Sequence, residues 1–185
     1  MKKSISLTVA FFILLSQAAR SQTYKTGSNV VSAGVGLGGS LGDYSHNSQS
    51  PAFSAQYERG IWEIGPGVVS LGGYVGTKTY KYSYTDPYYG SGHYESKWTY
   101  TIVGVRGAYH YTGLTIPNLD VYAGVMASYN AVSYKDNGGS SLHYGSTVGA
   151  TGFVGGRYFF AKILGGFAEL GYGVSYLNVG LCLKF

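Results

Sequence analysis

The sequence predicts an all-β chain that closes into an eight-stranded antiparallel up-and-down barrel crossing a membrane, and three observations predict it. Eight segments alternate apolar with small or polar residues at a period of two. The alternation is of the inverted kind, with one face greasy enough for lipid and the other carrying the charges. A short apolar leader opens the chain, and no later segment offers the 18 or so consecutive apolar residues of a membrane-spanning helix.

The leader has Met1, Lys2 and Lys3 as a positive start, Ile5 to Leu15 as an uncharged apolar run, and Ala18, Ala19, Arg20 and Ser21 as a small-residue exit. That is the layout of a secretory signal. Residues 1–21 are therefore expected to be removed, with Ala18 as an alternative cleavage point, leaving residues 22–185 as one barrel domain. Of the 13 basic residues, Lys2, Lys3 and Arg20 lie in the leader, so the remainder nearly balances the eight acidic ones. Such a charge offers nucleic acid no basic stripe. Cys182 is the single cysteine, which excludes internal disulfides and multi-cysteine metal sites.

The last strand is the clearest. From Leu177 to Phe185 every odd position is apolar and every even one is small or polar. The first strand, Asn29 to Leu37, sets Val31, Ala33, Val35 and Leu37 against Ser32, Gly34 and Gly36. The second, Ala52 to Ile61, puts Phe53, Ala55, Tyr57 and Ile61 outward and Ser54, Gln56 and Glu58 inward. The third, about 68–82, sets Val69, Leu71 and Val75 against Ser70, Gly72, Tyr74 and Lys78. The fourth, about 97–111, sets Val103, Val105 and Tyr109 against Ile102, Gly104 and Arg106. The fifth, 120–134, turns Val121, Ala123, Val125, Ala127 and Tyr129 outward. The sixth, about 143–160, sets Val148, Ala150, Val154 and Tyr158 against Thr147, Thr151 and Arg157. The seventh, 166–174, sets Ala168, Leu170, Tyr172 and Val174 against Phe167, Glu169 and Gly171.

Connections alternate in length. Short turns fall at 65–67, 113–118 and 161–165, and longer ones, rich in Gly, Ser, Asn and Asp, at 41–50, 84–94 and 135–141. Only the fourth outer connection, around Gly173 to Tyr176, is tight. Outer-membrane barrels keep short turns and both termini periplasmic and long loops extracellular. A closed sheet in lipid must face its greasy side outward with every backbone group paired, and a soluble barrel would show the reverse polarity.

Glu169-Leu170-Gly171-Tyr172-Gly173 and then Leu177 to Phe185 resemble the C-terminal signature of small outer-membrane β-barrels. Phe185 with Leu183, Leu181 and Val179 resembles the signal read by the barrel-assembly machinery. Tyr57-Glu58-Arg59-Gly60 to Ile64-Gly65-Pro66-Gly67-Val68, with Leu71-Gly72-Gly73-Tyr74 after it, resembles the porin-like barrel family common in Bacteroidota. The resemblance implies fold and compartment, with outer-membrane lipid and the assembly machinery as partners, and implies no particular activity. Arg59 departs from the pattern by pointing outward, where it can snorkel to headgroups.

Five charges point inward by phase: Glu58, Lys78, Arg106, Arg157 and Glu169. One reading is a channel constriction. Eight strands leave an interior only wide enough for side chains, and buried charges must pair, so a paired network closing the lumen is favoured. Centring the 161–165 turn on Ile163 sets Arg157 opposite Glu169. Around the second outer connection, Tyr82, Tyr84, Tyr88, Tyr89, Tyr94 and Trp98 exceed what an interfacial girdle needs, and with Lys78, Lys81 and Lys97 nearby they suit a surface glycan or lipid headgroups.

Other constellations are weaker. His46, His93 and His143 fall in or beside three outer loops and read as solvated rather than metal-binding, while His110 sits near the periplasmic end outside that group. Ser141 and His143 with Asp136 make too common a pattern for a hydrolase. The expected protein is non-enzymatic, needs no cofactor, and has a structural or surface-interaction role. A narrow pore for small or apolar solutes is the alternative, and a lipid-modifying enzyme comes third.

Overall fold

Period-two alternation puts successive side chains on opposite faces of a strand, and here each of the eight long strands finds partners on both edges. The computed structural model describes residues 24–39, 48–85, 93–136 and 141–185. Its strands are β1 (Asn29–Leu37), β2 (Ser48–Gln49), β3 (Ala52–Ile64), β4 (Gly67–Thr85), β5 (His93–Tyr111), β6 (Leu119–Asp136), β7 (Ser141–Phe159), β8 (Leu164–Gly171) and β9 (Leu177–Lys184). Neighbours in sequence pair antiparallel from β3 to β9, and β1 pairs with both β3 and β9. The eight long strands thus form a closed barrel. The leader read over residues 1–21 lies outside the described residues.

β2 corrects the expectation that 41–50 is loop throughout. Pro51 has no N–H to donate, so regular β3–β4 pairing stops at Phe53 and Thr77. Ser50 bridges the gap: its N–H donates to the Thr79 carbonyl at 2.9 Å, and its Oγ accepts from the Thr79 N–H at 3.0 Å. Pairing then resumes at Gln49 and Tyr80.

The outward face carries Val31, Phe53, Leu71, Val75, Val103, Val105, Val125, Val148, Val154, Leu170 and Leu181, all exposed. The inward face carries Ser32, Glu58, Ser70, Arg106, His110 and Arg157, all buried. A water-soluble barrel would be built the other way round. Exposed aromatics rim the apolar band, with Trp62, Tyr111, Tyr158, Phe160 and Phe185 towards one end and Phe53, Tyr129, Tyr172 and Tyr176 towards the other. Two local departures from phase matter. A bulge at Ile61 gives its expected outward place to Trp62, which pairs with Val69. β8 ends at Gly171, so Val174 is not an outward strand residue but is buried at 1 % exposure where the chain turns back inward.

The short turns, the start of β1 and the end of β9 share one end of the barrel. Gly65 takes a positive φ of 57° in the two-residue turn between β3 and β4, a conformation glycine adopts without strain. Asn29 and Phe185 exchange backbone hydrogen bonds at 2.9 and 3.0 Å. At the other end the wall is uneven. β4, β5 and β7 have 19 residues and β6 has 18, against eight or nine in β8, β9 and β1. At about 3.4 Å per residue and a tilt of about 40°, a 19-residue strand rises roughly 50 Å, about twice the apolar band of an outer-membrane barrel. The surplus makes a four-stranded wall standing beyond the band.

Candidate functional site

The inward phase of six strands brings one polar side chain after another to a common level in the lumen. Arg106 on β5 sits at the centre. Its Nε lies 2.7 Å from Glu58 Oε1, its Nη2 donates to Glu169 Oε2 at 2.7 Å, and its Nη1 donates to Glu169 Oε1 at 3.2 Å. Nη1 also donates to Gln56 Oε1. Arg157 on β7 donates to the other oxygen of Glu58 and, at 3.4 Å, to Asp120 on β6. Glu58 therefore stands between two guanidiniums. Aromatic faces cover the cations: Phe153 lies 3.9 Å from the Arg106 guanidinium carbon, and the Tyr122 ring lies 4.3 Å from that of Arg157. The Tyr122 hydroxyl donates to Glu169 at 3.1 Å.

Two apolar layers flank these charges. Tyr24, Val30, Val68, Phe159, Phe167 and Cys182 pack towards the short-turn end. Ala52, Tyr74, Ile102, Met126, Phe153 and Val174 pack on the other side. Beside Arg106 and Glu169 a cavity of about 20 Å³ remains, room for roughly one water. Glycines shape the packing. Gly34 and Gly180 are paired across β1 and β9, and a Cβ on either would come within 2.7–2.8 Å of the Phe167 ring. Both are empty so that the ring can lie across them.

Sequence reasoning missed the polar end of this assembly. His110 Nδ1 is 2.9 Å from Asp120 Oδ1, and His110 Nε2 is 3.0 Å from Ser70 Oγ. His110 is thus joined to both Ser70 and Asp120. Inward phase was the signal available for both: Asp120 shares parity with Gly124 and Ser128, and His110 shares parity with Arg106. Ser70, His110 and Asp120 have the spacing of a hydrolytic triad. Yet Ser70 and His110 are both at 0 % exposure. The Tyr24 ring, 3.7 Å from the His110 ring and within 11° of parallel, closes the approach. With no space for a substrate at the serine, the triad spacing here serves a buried hydrogen-bond relay. Burial, and then the Glu58 charge, push the Tyr24 phenol well above its ordinary pKa.

Two expectations change at this level. Arg157 pairs in register with Phe167, and Glu169 with Gly155. The turn is centred on Lys162, one residue before Ile163, and that moves the partner by two positions. Arg157 and Glu169 both face the lumen but are not a cross-strand pair. Lys78 is buried in the lumen yet stands apart from the carboxylates. Its Nζ donates to the Gly38 carbonyl at 2.6 Å and lies 5.1 Å from the Tyr80 ring centre.

Of the aromatic surface residues, Tyr82 and Trp98 lie in the wall, on strands whose even-numbered positions face the lumen side. Trp98 packs on Tyr134 at 5.3 Å and Tyr80 meets Tyr100 edge-on at 5.6 Å. Tyr84 and Tyr94 are backbone partners across β4 and β5. Tyr88, Tyr89 and His46 lie outside the described residues, as do the side chains of Tyr84, Tyr94, His93, Ser141 and His143. Val179, Leu181, Leu183 and Phe185 form an exposed outward file. Among the described residues, no group of three or more His, Cys, Asp or Glu side chains is arranged to hold a metal ion.

An apolar belt between aromatic girdles, a closed eight-stranded ladder and a charged, filled lumen define a small outer-membrane β-barrel. No family model and no curated protein matches the chain, so the finer resemblance to a porin-like Bacteroidota family has no match behind it. Among solved structures, the chain is similar to Ail, the attachment invasion locus protein of Yersinia pestis, in complex with the heparin analogue sucrose octasulfate. Identity is 12%, coverage 86% of this chain and 96% of that one, and the TM-score 0.49. For Neisserial surface protein A (NspA) the figures are 19%, 85%, 96% and 0.48. A second structure of Ail gives 12%, 86%, 95% and 0.46. Similarity this distant carries no function from those proteins to this one.

Proposed function

We propose that the protein is a non-enzymatic, closed outer-membrane barrel that serves the envelope as structure and as a platform for surface interaction. Its short-turn end faces the periplasm, its tall wall faces outward, and export removes residues 1–21. The observation that carries the reading is the filled lumen: Glu58, Arg106, Arg157, Asp120 and Glu169 are paired across the barrel and flanked by apolar layers on both sides. An ion crossing it would have to break several buried charge pairs at once, each costly to separate. Refolded wild-type protein in a planar bilayer should therefore show no steady conductance. A stable open level would favour the narrow-pore reading instead.

The interaction half of the proposal rests on the wall. β4 to β6 carry Tyr82, Trp98 and Tyr134, none of them fully buried, beyond the apolar belt, more aromatic surface than anchoring at the interface uses. Flat aromatic rings suit the apolar faces of sugars. Of the two tryptophans, Trp62 is at the far rim, so in a Trp62→Phe background quenching by added glycans reports on Trp98 alone. Unchanged emission across a broad glycan panel would count against this half.

A further inference from the structure

On its outward side the tall wall changes character in a fixed order. The last large apolar outward residues are Val75 on β4, Val103 on β5 and Tyr129 on β6, which share one row. The next row is Thr77, Thr101 and Ala131, and the one after is Thr79, Thr99 and Ser133, with the two threonine hydroxyls 3.3 Å apart. The third row is three lysines. Lys81 pairs in register with Lys97, and Lys97 with Lys135. All three are exposed.

Like charges directly opposite one another destabilise a sheet. Only Lys81 has an acidic neighbour here, Glu95 at 3.7 Å, in a half-exposed pair. That holds among the described residues, where no carboxylate pairs with Lys97 or Lys135. Two residues of strand at about 3.4 Å each, tilted by about 40°, rise about 5 Å, so the lysines stand about 15 Å above the last apolar row. The headgroup layer of a phospholipid leaflet is only about 5–8 Å deep. A thicker, sugar-bearing headgroup reaches that height, and the hydroxyl rows beneath would lie among its sugars.

We propose that Lys81, Lys97 and Lys135 form a rail that binds the phosphate groups of a sugar-bearing anionic lipid in the outer leaflet. The proposal rests on the outward orientation of the wall given above, and names the lipid partner of that wall. Opposed side chains on neighbouring strands start about 4.5–5.5 Å apart at Cβ, so one phosphate can accept from two ammonium groups at about 2.7–2.9 Å. Bridging by phosphate removes the repulsion that the bare row carries.

The test compares wild type with the triple variant Lys81→Gln, Lys97→Gln and Lys135→Gln, inserted in phosphatidylcholine nanodiscs doped with lipopolysaccharide or with the same glycolipid stripped of its phosphates. Glycolipid retained by the protein is read by native mass spectrometry, and insertion by the gel shift of unboiled samples. Retention of the phosphorylated glycolipid should fall about fivefold per lysine removed and weaken with salt. The variant Lys25→Gln with Lys162→Gln, at the opposite rim, should behave as wild type. Equal retention by the triple variant overturns the rail, as does equal retention of the stripped glycolipid by wild type. Displacement of the glycolipid by inorganic phosphate at millimolar concentration would make it a free-anion site and overturn the lipid assignment. Wild type that fails to insert in any disc would instead sink the barrel reading itself.

Discussion

The Arg157 guanidinium donates to the Glu58 carboxylate across the lumen, joining β7 to β3 over 99 residues of chain. Glu58 also meets Arg106 at 2.7 Å, while Arg106 has a second carboxylate in Glu169. The network is therefore unequal in its dependence on its members. Glu58→Gln leaves two buried guanidiniums short of a partner, and should cost about 3–5 kcal/mol. Glu169→Gln leaves Arg106 still paired and should cost clearly less. Urea titration of the unboiled gel band measures both, and a Glu169 variant as damaging as the Glu58 variant would contradict the assignment.

The two faces of β9 should respond to opposite insults. Leu181 is exposed on the lipid side, so Leu181→Arg should cost about 2–4 kcal/mol near mid-membrane. Gly180 lies under the Phe167 ring with the β1 backbone at Ala33 and Gly34 close beside it. Gly180→Leu should therefore impair folding although it adds only apolar surface. Folding yield into vesicles separates the two, and a well-folded Gly180→Leu protein would mean the ring is not held there.

Ser70 should be chemically silent despite its 3.0 Å contact with His110. A fluorophosphonate probe, which labels activated serines, is expected to leave native protein unmodified because Tyr24 and the lumen wall exclude it. Labelling that disappears in Ser70→Ala would reverse the structural reading of this group.

Tyr24 gives the short-turn end a dependence on alkaline pH. Burial holds the phenol protonated above its usual pKa, so the native state binds that proton more tightly than the unfolded chain does. The stabilisation is complete below about pH 10, the ordinary phenol value, and is lost as pH rises beyond it towards the folded value. Tyr24→Phe has nothing to ionise. Its stability should fall less than that of wild type between neutral pH and pH 11, and parallel curves for the two proteins would show that Tyr24 does not titrate against folding.

Alternation alone determined which way most side chains point, because a period of two leaves no third choice. It placed Glu58, Arg106, Arg157 and Glu169 inward and Leu181 and Leu183 outward, and with them the inverted polarity that lipid demands. It could not determine which inward residues meet. Partners across a turn depend on where its centre falls, and one residue of error at Lys162 exchanged Glu169 for Phe167 opposite Arg157. Contacts across the lumen depend on the closure of the whole cylinder, which no local pattern encodes. Val174 turned inward because β8 stopped three residues early, and Trp62 turned outward because Ile61 bulged. The lysine row exists only through two registers, β4 on β5 and β5 on β6, that bring together residues far apart in the chain. Direction is a property of each strand, whereas neighbourhood on the barrel is a property of all eight together.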